Sequence, residues 1–190
     1  SVDMVFPAIV DEKGEEVQLT HGNFGVFRES SDPRVRRESF EKYFGEFNKY
    51  INTFAALYGG SVKFDNYFAD VRGHENALVH GLYGNAVPVS VYDSLIEAVH
   101  GALPAMGKYI DLRKKVLGLD ELHMYDLYNP MVEQENEVYT YDRAKAMVKE
   151  ALAPLGEEYG RLLDRAFDEG WVDVYENKGK TTGAFACGVY

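Results

Sequence analysis

One segment constrains this chain more than any other. From Phe40 to Tyr58, large apolar residues return at three- and four-residue steps: Phe40, Tyr43, Phe44, Phe47, Tyr50, Ile51, Phe54, Leu57 and Tyr58. Glu41, Lys42, Glu46, Lys49 and Asn52 fill positions between them. A period near 3.6 residues puts the first set on one side of a helix and the second on the other. The segment is therefore an amphipathic helix, and its aromatic stripe reads as core rather than as a ligand platform. Ser30-Ser31-Asp32-Pro33 writes its start, with Asp32 as N-cap and Pro33 at the first helical position. Gly59-Gly60 reads as its end.

Around this helix the rest of the chain falls into shorter pieces. Val2 to Ile9 and Val17 to Leu19 read as strands flanking the turn Asp11-Glu12-Lys13-Gly14. Thr20 caps a short helix through Arg28. Ser61 opens a third helix with Phe64, Phe68, Val71, Leu78 and Leu82 on its stripe, weakened at Gly73 and ending near Gly84. Ser90 and Asp93 have the spacing of a capping box before Tyr92, Leu95, Ile96 and Val99, and Pro104 predicts a kink or a break. The stripe resumes with Met106, Tyr109, Ile110 and Leu117. Residues 119 to 139 lack a period and read as a loop with one short strand. Thr140 caps a helix that Pro154-Leu155-Gly156 ends, and a last helix closes at Gly170. The tail, Trp171 to Tyr175 and Gly183 to Tyr190, alternates like strands. The expected fold is mainly α, a multi-helix lobe with a small antiparallel β-sheet formed by N-terminal and C-terminal strands, and residues 1–190 make a single lobe.

Charge and cysteine usage exclude several classes. Against 31 acidic side chains stand 20 basic ones, a net charge of −11, which repels phosphate backbones and anionic lipid. Nucleic acid is not an expected partner. Cys187 is the single cysteine, so the chain cannot carry an internal disulfide, and a reducing cytoplasm is the expected location. No uncharged stretch approaches the roughly 18 to 20 residues of a membrane helix, and residues 1 to 20 lack a basic-then-apolar signal pattern. No membrane association is expected.

No catalytic set assembles from the residues alone. His74-Glu75 followed by His80 resembles half of a zinc-protease signature, but that chemistry needs histidines four apart. A spacing of six turns them about 120° apart on a regular helix, which argues for ordinary polar residues. Glu97 and His100 make one Glu-x-x-His step, whereas di-iron bundles need two copies and two further glutamates. Gly179-Lys180-Thr181 lacks the first glycine of a phosphate loop, because position 174 is Val174. Cys187 has no basic or histidine neighbour in sequence that marks it as a nucleophile.

The order of certain short words is more informative than any one of them. Leu19-Thr20-His21, Ser31-Asp32-Pro33-Arg34-Val35-Arg36, Asp70-Val71-Arg72-Gly73, Tyr92-Asp93-Ser94-Leu95-Ile96, Leu117-Gly118-Leu119 with Tyr125-Asp126-Leu127, Leu155-Gly156-Glu157-Glu158-Tyr159, Trp171 to Lys180 and Gly183-Ala184-Phe185 follow one another in this sequence. From about Phe6 to Tyr190 this order resembles the oligoendopeptidase F family of zinc metallopeptidases, relatives of thimet oligopeptidase. The resemblance implies a zinc-dependent endopeptidase acting on short oligopeptides. In the family the H-E-x-x-H helix and a later glutamate lie downstream of the Gly-Ala-aromatic segment, so this chain resembles a fragment without the catalytic helix. The expectation is no catalytic residue and no bound metal here, zinc in the parent enzyme, and the C-terminal catalytic portion and an oligopeptide as partners. The resemblance also implies that Gly183, Ala184 and Phe185 lie beside the substrate cleft. The plain alternative is that Gly183 serves a turn and Phe185 the core. Exposed apolar surface on such a fragment would favour a homodimer. A different class stays open: a non-catalytic acidic helical module that binds a peptide or a partner.

Overall fold

The computed structural model describes residues 4–132, 138–175, 177, 180, 183 and 186–188. Its backbone groups into two compact units, Asp3–Met131 and Val132–Tyr190, the latter with the first two residues. The elements are mainly helical with one small sheet.

In the first unit, β1 (Ala8–Val10) pairs antiparallel with β2 (Glu16–Gln18), with Ile9 opposite Val17. The hairpin turn is made by Asp11, whose Oδ1 accepts from the backbone N–H of Lys13 (2.8 Å) and Glu15 (2.9 Å), and by Gly14 at φ +82°. The first strand is shorter than the sequence pattern suggests and the second is shifted back by one residue, because Phe6 and Leu19 beyond them serve packing instead. Phe6, Ile9 and Leu19 are buried with Phe24 and Val35 in one core cluster. The outer edge of β1 is occupied by side chains: Lys42 Nζ donates to the Ala8 carbonyl (2.6 Å) and Arg34 to the Val10 carbonyl (2.9 Å); Arg34 also reaches the Asp11 carbonyl in the turn (2.9 Å).

Thr20 and Asn23 exchange side-chain to backbone hydrogen bonds, 2.7 and 3.1 Å, and launch α1 (Phe24–Arg28). Asp32 caps α2 (Pro33–Asn48), its Oδ1 accepting from the Arg34 N–H at 2.8 Å. The aromatic helix then departs from its expected course. It breaks at Lys49 and Tyr50, whose N–H groups reach only three residues back, and α3 (Ile51–Val71) runs straight through Gly59-Gly60. Two glycines inside a helix cost about 1 kcal/mol each, but neither takes a positive φ, so they weaken the helix without turning it. The break instead brings Phe54 to within 5.9 Å of Phe47, ring to ring, although a straight helix would separate the two Cα atoms by roughly 10 Å of rise. The stripe is consequently split: Phe40, Tyr43 and Phe47 pack on the core, while Leu57 and Tyr58 are exposed.

Helix α3 ends in a Schellman motif. Gly73 sits at φ +72°, its N–H donating to Asp70 O and the His74 N–H to Ala69 O. Asn76 then caps α4 (Ala77–Tyr83), so the expected third helix is two helices. The next chain reversal puts the left-handed residue at Ala86, φ +52°, rather than at Gly84, φ −60°. A left-handed alanine carries a steric cost of roughly 1–2 kcal/mol that glycine avoids, partly offset by glycine's larger unfolded-state entropy. Ala86→Gly is therefore expected to raise the thermal midpoint of the protein, with a net gain of about 0.5 kcal/mol; a lowered midpoint in a melting experiment would refute this.

Helix α5 (Val89–Val116) starts one residue before Ser90, with Pro88 at the N-cap, so the capping box does not form; Ser94 Oγ donates instead to the Ser90 carbonyl (2.7 Å). It continues across Pro104 without a break. Gly118 (φ +64°) closes it with a second Schellman motif, Leu119 N–H donating to Lys114 O. Among the described residues of the following loop there is a 3₁₀ turn, Met124–Asp126, and no strand; residues 133–137, within the stretch where a short strand is expected, lie outside the described set.

In the second unit Thr140 caps α6 (Tyr141–Ala151), a 3₁₀ turn spans Ala153–Leu155, and Gly156 (φ +91°) leads into α7 (Glu157–Asp168). Lys149 and Asp164 join the two helices by an ion pair. Gly170 (φ +75°) ends α7, with Trp171 N–H donating to Ala166 O. Trp171 to Tyr175 form bends and coil rather than a strand, so the sheet among the described residues consists of the N-terminal pair alone. Of the expected strand from Gly183 to Tyr190, only Gly183 and residues 186–188 are described, and they carry no ladder.

Candidate functional site

Two constellations in the first unit concentrate the polar chemistry. Arg36 on α2 and Asp126 in the 3₁₀ turn are both almost fully buried and meet at 2.7 Å. Arg36 donates through Nε (3.0 Å) and Nη2 (2.7 Å) to Asp126 Oδ1, and through Nη1 to the carbonyls of Ser30 (2.8 Å) and Ser31 (3.0 Å). The other carboxylate oxygen accepts from the His123 backbone N–H at 3.0 Å. Arg113 of α5, also buried, donates Nε to the Asp126 carbonyl at 3.1 Å and Nη2 to the Asn129 carbonyl. Two cations thus hold one carboxylate and the backbone around it. Three hydrogen bonds occupy its two oxygens, and the arrangement ties α2, α5 and the 119–129 loop together. A concavity of about 360 Å³ opens beside it, and Asp126 lines it with Arg34, Arg37, Glu121, His123 and Tyr125. The sequence words containing Arg36 and Asp126 are 90 residues apart, and nothing in either one announces the other.

The second constellation is aromatic. Phe24 stacks on Tyr43 at 3.9 Å and 2°, Tyr43 on Phe6 at 4.6 Å and 6°, and the Arg28 guanidinium lies over the rings of Phe24 (5.2 Å) and Tyr128 (3.3 Å). The Tyr43 hydroxyl and His21 Nδ1 share a 2.7 Å hydrogen bond. Burial holds the Tyr43 hydroxyl above the ordinary phenol range, opposed by the nearby positive charge of Arg28. The phenol stays protonated and neutral, a packing group with one polar contact.

The residues singled out from sequence are distributed as follows. Gly183 stands at φ +154°, a backbone conformation that side chains rarely adopt, and a Cβ added there would meet nothing within 4 Å. Ala184 and Phe185 lie outside the described residues. Cys187 is an exposed free thiol. Glu97 and His100 lie on exposed turns of α5. His74 and His80, placed 120° apart if the helix were continuous, are brought together because Gly73 ends it: their ring centroids are 5.0 Å apart. Among the described residues no three His, Cys, Asp or Glu side chains gather where a metal ion could sit. The described residues therefore do not fit the coordination sphere of a catalytic zinc, and no hydrolytic step is routed through them. Among them, too, no helix is long and apolar enough to cross a membrane.

Comparison with known proteins supplies the context that this geometry lacks. Residues 26–190 match the model described as peptidase family M3. All 190 residues align with "Oligopeptidase PepF" of Bacillus subtilis (strain 168) at 45% identity, covering 28% of that protein, and with "Group B oligopeptidase PepB" of Streptococcus agalactiae at 43%, covering 31%. Among solved structures, oligoendopeptidase F from Enterococcus faecium superposes with a TM-score of 0.67 at 42% identity, over 87% of this chain and 31% of that one. The chain thus spans under a third of the length of these relatives.

Proposed function

The chain belongs to peptidase family M3, and from that premise we propose that residues 1–190 are one lobe of a zinc-dependent endopeptidase that hydrolyses short oligopeptides. In this reading the lobe forms a wall of the substrate cleft, and the zinc-binding helix with its general base lies in the remaining, C-terminal catalytic portion. The carrying observation is that every residue aligns at 45% identity with an oligopeptidase while accounting for 28% of its length.

The lobe's own contribution is binding. In this reading Gly183, Ala184 and Phe185 lie beside the substrate cleft and bind an extended peptide through its main-chain groups, irrespective of side-chain identity; this suits a broad oligopeptide specificity. Apolar side chains on α3 and α5 that stand in water in this chain, such as Phe64 (62% exposed) and Leu95 (63%), support a role as packing faces for the catalytic portion. Alone, the same faces drive self-association, so the chain elutes as a dimer at micromolar concentration, and a monodisperse monomer would count against that. The single cysteine suits a reducing cytoplasm.

The test is turnover of a quenched oligopeptide. The 190-residue chain supplied with Zn²⁺ is expected to give none, and activity is expected on mixing with the separately produced remainder of the polypeptide. Chelator-sensitive turnover by the isolated chain would overturn the assignment of roles.

A further inference from the structure

The turn between α3 and α4 builds a feature that the peptidase reading leaves unused. The Schellman motif at Gly73 directs the chain sharply back, the His74 N–H being held by Ala69 O at 2.9 Å. Asn76 fixes the start of α4, its Oδ1 accepting from Val79 N–H at 3.0 Å, and the His80 N–H donates to the Asn76 carbonyl at 3.1 Å. Both imidazoles are half-buried and their centroids lie 5.0 Å apart with the rings at 63°, the His74 ring also resting 4.8 Å from that of Tyr83.

We propose that His74 and His80 form a two-imidazole site for a divalent transition-metal ion, bridging the end of α3 to α4. The separation is what such a site requires. With metal–nitrogen bonds of about 2.0–2.1 Å, two imidazoles on one ion at angles between square and tetrahedral place their centroids about 4.5–5.2 Å apart. The rings already have that spacing, and binding requires rotation about the side-chain bonds to aim one nitrogen of each at a common point. Imidazole selects zinc, nickel or copper over magnesium and calcium. With two protein donors and no third among the described residues, the remaining positions belong to water or to an exogenous ligand, and affinity is modest. Binding to the folded state alone stabilises it by mass action, which makes the α3–α4 turn the segment that responds to the ion.

The test titrates the 190-residue chain with Ni²⁺, a probe whose paramagnetism broadens the proton signals of its ligands. One saturable equivalent is expected, broadening the imidazole resonances of two of the five histidines and raising the thermal midpoint. His74→Gln and His80→Gln are each expected to weaken binding by about tenfold or more and to abolish the thermal shift, while His100→Gln on exposed α5 changes neither. Should a variant fail to fold, the assigned resonances of the native chain decide: broadening of His74 and His80 together supports the site. Broadening confined to His21 or His123, undiminished binding in both variants, or no saturable binding at millimolar Ni²⁺ overturns it.

Discussion

Asp126→Ala is expected to destabilise the Asp3–Met131 unit by about 3–5 kcal/mol, the cost of leaving a buried charge without its partner. Arg36 is the charge in question, with its guanidinium almost wholly out of water. The two carbonyl contacts to Ser30 and Ser31 survive the substitution, but Nε and Nη2 lose their acceptor at once. Arg113 keeps the Asp126 backbone carbonyl, so the loop is not simply released. Asp126→Asn keeps the shape and should fall between, since its amide still offers an acceptor but no charge. Replacing both members with apolar residues of similar volume, as in Arg36→Met with Asp126→Leu, should recover much of the loss, because the desolvation penalty of the pair disappears with it. Urea unfolding of the four proteins reads this directly. A loss below about 1 kcal/mol for Asp126→Ala would mean that water reaches Arg36.

Phe24→Ala is the second large effect, at about 3–5 kcal/mol. Phe24 is buried, lies parallel on Tyr43 at 3.9 Å, meets Phe44 edge to face at 5.9 Å and carries the Arg28 cation above it. Truncation removes the transfer energy of a phenyl ring and leaves a cavity that the rings of Tyr43 and Phe44, held by the α2 backbone, can only partly fill. Phe44→Ala on the same stripe is the internal comparison, because Phe44 is 42% exposed and its site drains to solvent rather than forming a void. Equal losses for the two substitutions in the same urea assay would show that the aromatic cluster is not a rigid core.

These two cases mark where the sequence was readable and where it was not. Signals confined to a few neighbouring residues were legible: Asp32-Pro33 and Thr140 begin helices, Gly156 precedes the last helix and Gly170 closes it. Several words that carry the family resemblance turn out to be such punctuation, since Gly73 and Gly118 are the left-handed residues of Schellman motifs. Glycine pairs without a demand for positive φ were over-read, so Gly59-Gly60 was assigned a termination that falls at Lys49-Tyr50. Pro104 was read as a kink or a break, and a 28-residue helix runs through it unbroken. The Arg36–Asp126 pair was invisible because burial is a property of the whole fold. The geometry assumed for the histidine pair failed for a more specific reason: a rotation of 120° presupposes an unbroken helix, and Gly73, read as merely weakening it, ends it before His74. Of the expected peptide-binding residues, Gly183 has a backbone that favours glycine, and the remaining two lie outside the described residues.

The side chains that occupy the outer edge of β1 have a consequence for what the chain does when it is not fully folded. A lone two-stranded ribbon offers unpaired carbonyls to any passing extended segment, and Lys42 and Arg34 hold those of Ala8 and Val10 only while α2 is formed and docked. Helix α2 thus acts as a guard against templated strand addition. Partial unfolding that frees α2 before the hairpin melts would uncover a docking rail for other copies, so aggregation on mild denaturation should begin at this ribbon rather than at the more conspicuous apolar helices.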